Sequence, residues 1–451
     1  MNRKIFIALL VLIFIEVIMQ IGRVYGQPEW GKKPESRLVA QNQEGLTEPA
    51  YRIEKYGIKS GEKPNLNKDK NGKILLEEWS DLRGFNLKRH KLYERFQIID
   101  FSKLYSILVT CIFDSETPWP PKDKLPPNFD PSKIIEIGKE PGLGIKGLHN
   151  QGITGKGVKV AIIDQNLFQE HKEYKGKIAK YTPIGYTEEE IKNDIDKIAS
   201  MHGPAVTSIL VGNECGVAPG ASLYYWAQNT RVLTQDDYTA DTIKSIKQII
   251  DYNKNKSISD KIRVISISSG CAYNDKNRGE WDRVKKEAKE SGIIIISCSY
   301  EDDSLDGILC PVNKNRNNPN NYEMRYWNQF LLQDAVKKQN NRYLQLFDQT
   351  KQIHVPIENR TFASGFCGTN GYEFEGTGGQ SWAPPYLAGV MALGLQIDPT
   401  LDEETIYMYL RETGTPFKKK LHGKEYDLGW IINPKGFVDR VKKELELKKV
   451  K

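Results

Sequence analysis

From about residue 140 onward, short apolar runs alternate with segments of helical periodicity, and no other feature of this 451-residue sequence restricts its fold as much. Val158–Ile163, Leu223–Ala227, Val264–Ile267 and Ile293–Ser297 are runs of four to six residues, the length of buried strands. Between them, Asp241–Tyr252 and Trp281–Glu290 place apolar residues at helical spacing. A strand covered on both faces reads as a continuous apolar run, because helices pack on each side of a parallel sheet. The alternation therefore predicts an α/β fold: a doubly wound, mostly parallel sheet with helices on both faces. No internal repeat interrupts it.

The residues ahead of this region divide in two. Arg3 and Lys4 precede an apolar run from Ile5 to Ile15, Glu16 and Gln20 interrupt it, and Val24-Tyr25-Gly26 resembles a small-residue cleavage site. Residues 1–26 thus have the layout of a secretory signal peptide. An uncleaved membrane anchor is the alternative, although residues 5–21 are short for a span of about 20 residues. Either way the remainder is expected outside the cytoplasm, secreted or tethered with an exported domain. Residues 27–135 form an N-terminal extension. It is polar and rich in Pro, Gly and Lys up to about residue 65, then carries amphipathic helical stretches such as Leu87–Phe101, so it is expected to be largely helical. Pro118, Pro120, Pro121, Pro126, Pro127 and Pro131 then mark a boundary. Residues 136–451 are the main domain.

The net charge is +7, and Lys and Arg alternate with Asp and Glu along the chain. That is a solvated surface with no nucleic-acid footprint, and a monomer is expected. The Lys442–Lys451 end reads as a helical end or a frayed tail. Six cysteines allow 15 pairings in an oxidising compartment, and their spacings match no CxxC metal cluster. Cys298, inside a strand-like run, reads as a plain buried thiol.

Three local patterns carry chemistry. In Gly157-Val-Lys-Val-Ala-Ile-Ile-Asp164 an apolar strand ends in an acid, at the sheet edge where open α/β folds place their sites; alone, this reads as an Asp cap or turn residue ending a strand. In His202-Gly-Pro-Ala-Val-Thr-Ser-Ile-Leu210 a histidine opens a short helical pattern with glycine directly after it. Such a glycine lets another backbone approach the base. In Gly378-Gly-Gln-Ser381-Trp-Ala-Pro-Pro385 a glycine-rich turn delivers a serine into a helix. Pro384 and Pro385 fall in its first turn, where a missing N–H costs nothing. The helix is apolar on nearly every side, with Ala388, Gly389, Ala392 and Gly394 admitting tight contacts, so it is a buried central helix. A serine at its start sits beside free backbone N–H groups and a positive dipole end, which suits a nucleophile whose reaction develops an oxyanion.

At these residues, from about 140 to about 415, the chain resembles the subtilisin-like serine proteases. The order Asp, His, Ser is theirs, and Ser381-x-Ala-x-Pro385 with Ala388-Gly389 is the most specific match. The α/β-hydrolase elbow is disfavoured, since it needs glycine at Ala383 and another triad order. The resemblance implies a serine endopeptidase acting on proteins or peptides, with no cofactor required for chemistry. Ser381 would attack the scissile carbonyl, His202 would take its proton, and Asp164 would orient the imidazole. Ser268-Ser269-Gly270 would line the cleft and pair with extended substrate.

The family's oxyanion asparagine has no counterpart. Its position falls on Tyr300 or Glu301, and losing one such donor costs about 100- to 1000-fold in rate. A replacement donor such as Tyr300 or Asn313, a slow and selective enzyme, or a pseudoprotease that binds without cutting are the open accounts. Gln165-Asn166 after the acid and Gly379-Gln380 before the serine are smaller departures. No inhibitory pro-domain is recognisable in residues 27–140. Separately, residues 67–78 fit an EF-hand-like Ca2+ loop, with Asn67, Asp69, Asn71, the Lys73 carbonyl and Glu78 as ligands. A polar Asn-Gly turn is the alternative there, and a calcium-dependent adhesion or scaffold protein is a third functional reading.

Overall fold

The computed structural model describes residues 38–39, 67–68, 74–76, 80–89, 92–193, 200–229, 235–271, 274–298, 312–314, 318–324, 353–421 and 424–450. Its centre is a five-stranded sheet of β1 (Lys159–Gln165), β2 (Ile178–Ile184), β3 (Ser222–Gln228), β4 (Ile262–Ile267) and β5 (Ile294–Ser297). The order is β2-β3-β1-β4-β5 and every pairing is parallel. The four apolar runs are therefore β1, β3, β4 and β5. Strand β2 gave no comparable signal. It is a half-exposed edge strand carrying Lys180 and Pro183, residues an edge tolerates because one side needs no ladder partner.

Around the sheet lie α1 (His202–Val211), α2 (Gln235–Asn253), α3 (Arg278–Glu290), α4 (Ala383–Ile397), α5 (Glu403–Thr413) and α6 (Pro434–Val450). Alternate residues of one strand serve opposite faces. Val160 and Ile162 of β1 join a core with Ala205 and Ile209 of α1, Leu387 and Met391 of α4, and Phe437 of α6. Ala161 and Ile163 join the opposite core with Ile246 and Ile249 of α2 and Trp281 and Val284 of α3. Both faces are thus covered, which is why these strands are apolar throughout. Helix α4 is buried continuously from Ala383 to Leu395. Helix α6 runs to Val450.

The proline-rich break does not separate the packing. Ile112–Asp114 pairs antiparallel with Tyr372–Glu375, which pairs with Arg360–Ala363. Leu82, Leu87, Phe101, Leu108 and Phe113 share one hydrophobic cluster with Tyr372 and Phe374. Pro131 opens the helix Pro131–Lys139 behind an Asp130 cap. The stretch Leu87–Phe101 is not one helix: the described parts are the short helices Gly84–Arg89 and Tyr93–Phe96. Its buried residues, Leu87, Leu92, Phe96, Ile99 and Phe101, are too irregularly spaced for one helical face, and their tertiary contacts decide the path.

Further upstream, Asn67–Lys68 and Ile74–Leu76 pair antiparallel, and Leu38–Val39 adds a third strand. Cys111, Cys215 and Cys271 are buried, and Cys298 and Cys367 are half-buried; Cys310 and residues 1–26 lie outside the described residues. Among the described residues, no helix is long and apolar enough to cross a membrane.

Candidate active site

Strand β1 brings Asp164 to the carboxyl edge of the sheet and buries it, with 1% of its surface exposed. The register pairs Ile163 with Ile267, so Asp164 and Ser268 leave adjacent strands at the same edge. The Asp164 carboxylate accepts the Gln165 N–H at 2.8 Å and faces His202 Nδ1 at 2.7 Å. A carboxylate on Nδ1 keeps the proton there and leaves Nε2 free to accept one.

His202 is the first residue of α1, and the sheet edge holds that helix start closely. Ser200 Oγ donates to the Asn166 carbonyl at 2.7 Å and accepts the Gly203 N–H at 2.9 Å. The Tyr225 hydroxyl donates to the Gln165 carbonyl at 2.5 Å. Gln165 and Asn166 are engaged through their main chain, so their departure from the family pattern leaves this geometry intact. Glycine at 203 is required: a Cβ there would lie 2.6 Å from the Asn166 carbonyl oxygen and 2.9 Å from that of Gln165. The backbone approach expected beside the base is present.

Burial acts most strongly on the His202 pKa and pulls it down. The charge and hydrogen bond of Asp164, with the charge of Glu375, outweigh burial and raise it above the ordinary histidine value.

The serine arrives through a turn in which Gly378 has φ of 64°, a conformation costly for residues bearing a Cβ. A single 3-10 turn, Gln380–Trp382, leads into α4. The Ser381 hydroxyl donates to the Ser268 carbonyl at 3.4 Å, and the Ser268 hydroxyl donates to the Ser381 carbonyl at 2.7 Å. Among the described residues the Ser381 hydroxyl thus bonds to Ser268 and not to His202; serine–histidine bonds of catalytic sites are often long without substrate and tighten when it binds. Trp382 closes the gap between the two segments, its ring centroid 5.4 Å from that of His202. Ser269 follows Ser268 along the same edge, its carbonyl accepting the Cys298 N–H at 2.9 Å, and Gly270 comes next.

The structure therefore brings Asp164, His202, Ser381 and Ser268-Ser269-Gly270 to one edge. Tyr300 and Glu301 lie outside the described residues, as do Asp69, Asn71, Lys73 and Glu78; Asn67 is in a strand. Among the described residues, no group of three His, Cys, Asp or Glu side chains is arranged to hold a metal ion. Two contributors were not singled out in the sequence. Ser200 lies two residues before the histidine, close enough to have been considered as a cap. Glu375, which accepts the Trp382 indole N–H at 2.8 Å, carries no sequence signal, because a strand register places it.

The chain matches the model of the subtilase family over residues 155–430. It is 24% identical over 290 residues to the minor extracellular protease Epr of Bacillus subtilis (strain 168). That match covers 63% of this chain and 37% of Epr, so the chain spans little more than a third of that relative's length. Among solved structures, the PatG macrocyclase domain is 16% identical, with 66% of this chain and 95% of that one covered, at a TM-score of 0.43. The A-subunit of the AB5 toxin from E. coli is 14% identical, with 67% and 98% covered, at 0.47. The family match contains the whole sheet, α1 and α4, and all three segments of the site, and this chain belongs to the subtilase family.

Proposed function

We propose that this chain is an exported serine endopeptidase working through an acyl-enzyme. The observation that carries this reading is the 2.7 Å contact between a buried carboxylate and His202 Nδ1, set beside a serine at the start of a buried helix. Ser381 Oγ attacks the scissile carbonyl carbon while His202 Nε2 takes its proton. The tetrahedral intermediate collapses as the C–N bond breaks and His202 returns the proton to the leaving amine. Water then repeats the sequence on the ester. Asp164 orients the imidazole and stabilises its cation. Ser268-Ser269-Gly270 receives the extended substrate, whose backbone N–H groups would compete with the Ser381 hydroxyl for the Ser268 carbonyl. The Ser381 backbone N–H supplies one oxyanion donor; residues 297–301, without an asparagine, make the second donor weaker and the enzyme slow. Export rests on the signal-like residues 1–26.

A second reading, a pseudoprotease that binds peptides without cutting, draws on that missing asparagine and on the hydrogen bond of Ser381 to Ser268. Labelling with a serine-reactive fluorophosphonate separates the two. The expected outcome is labelling that disappears in Ser381→Ala. Its rate should rise with pH through a midpoint above about 6.5, because the base must be neutral and its pKa is raised. Folded protein with no Ser381-dependent labelling would leave only the binding reading.

A further inference from the structure

We propose that Glu375 is a positioning residue for the catalytic base: its carboxylate tethers the Trp382 indole against the His202 imidazole, and the N-terminal segment around Arg83 supports that carboxylate. The inference rests on the serine-protease reading of the site. Trp382 follows the nucleophile directly, is 2% exposed, and lies between the His202 ring at 5.4 Å and the Phe362 ring at 4.8 Å. Its indole N–H donates to Glu375 Oε2 at 2.8 Å in a buried setting. Glu375 sits two residues from Glu373 on the strand Tyr372–Glu375, so both face the same side. Glu373 Oε1 accepts from Arg83 Nη1 at 2.9 Å. Arg83 is gripped by Asp81 through two further bonds, at 3.0 and 2.7 Å. The register also pairs Glu375 with Ile112 of the N-terminal segment. A segment some 300 residues upstream of the nucleophile is thus wired to its neighbour.

The arrangement has two consequences. A ring pinned beside the imidazole limits its rotation and keeps water off one face. A second buried carboxylate, beyond the Trp382 ring, favours the imidazolium formed when His202 takes the serine proton. The charged groups concerned are Asp164 from β1 and Glu375 from the antiparallel strand, with Glu373, Arg83 and Asp81 behind it. The coupling is mutual, since Glu375 raises the His202 pKa and His202 opposes the rise that burial imposes on Glu375.

A carboxylate that merely satisfied a buried indole would not act on the base. Two variants separate the roles: Glu375→Gln keeps an acceptor and removes the charge, and Trp382→Phe keeps a ring and removes the N–H. Full-length protein carrying Ser381→Ala reports the His202 titration by NMR, and protein with Ser381 intact reports fluorophosphonate labelling rates. Glu375→Gln is expected to move the His202 midpoint to lower pH and to slow labelling about tenfold, with a comparable slowing in Trp382→Phe. Folded Glu375→Gln with an unchanged midpoint and rate would overturn the proposal. If that variant does not fold, Trp382→Phe decides it, and unchanged labelling there overturns it equally. A shifted midpoint with no Ser381-dependent labelling in any protein upholds the positioning role and removes the protease reading.

Discussion

At the scale of single residues, the site depends on how closely two backbones meet. Asp164 and His202 are 38 positions apart, and a 2.7 Å contact between them requires the turn after β1 to lie against the start of α1. Gly203 permits this and Ser200 ties it down. Gly203→Ala would force the Asn166 and Gln165 carbonyls away and move the base relative to its acid. Labelling of Ser381 is expected to fall about a hundredfold, the effect of roughly 1 Å of misplacement. Stopped-flow labelling on protein with native circular dichroism checks this; a loss under threefold would mean the turn relaxes harmlessly. Asp164, His202, Ser381 and the need for this glycine were each legible in a short motif of the sequence. Ser200 and Glu375 were not, since their partners are defined only by folding.

At the scale of elements, α4 is an apolar helix buried along nearly its whole length, and Ser381 lies in the turn that leads into it. Thirteen consecutive residues, Ala383 to Leu395, are buried, so the helix cannot shift without opening both of its neighbours. The small residues read from the sequence make this packing possible. A Cβ at Gly389 would lie 2.5 Å from Val217 Cβ, and one at Gly394 would lie 2.6 Å from the Phe437 ring. Gly389→Ala gains helix propensity of about 1 kcal/mol, but overpacking of about 1–3 kcal/mol opposes it. A net loss of stability is expected, read as a lower urea midpoint with an unchanged m-value; a raised midpoint would show that Val217 yields freely. Strand β2 illustrates the opposite case. Its edge position removes the demand for apolar residues on both faces, and with it the sequence signal.

At the scale of the whole molecule, the described residues between 80 and 139 are built into the subtilase body. They share a strand pairing, a hydrophobic cluster and a charge network with residues 360–375. Lys139 reinforces the joint, pairing with Glu214 at 2.9 Å and lying 3.9 Å from the Tyr372 ring centroid. The network brings Asp81, Asp114, Glu373 and Glu375 around one arginine. Burial, with the neighbouring carboxylates, pushes Glu373 up to about 8 despite the opposing pull of Arg83. Its folded pKa is above the unfolded one, so the folded state binds the extra proton. Stability should therefore be lost as pH rises between about 4.5 and 8. Glu373→Gln is expected to flatten this part of the profile while Arg83 keeps its bond to Asp81. Urea midpoints at pH 5.5 and pH 8 test it, and parallel declines in both proteins would assign the loss to another group.

The sequence by itself determined the fold class, the three motifs that carry Asp164, His202 and Ser381, and the buried helix behind the serine. Each is written in local periodicity or in a motif whose residues are neighbours along the chain. Tertiary structure alone decided that the N-terminal segment completes the second sheet, that Glu375 faces Trp382, and that Trp382 lies against His202. These are pairings across tens to hundreds of residues, fixed by strand register and by the burial of charge. Such pairings leave no periodic mark, because either partner alone looks like an ordinary polar residue in an ordinary strand.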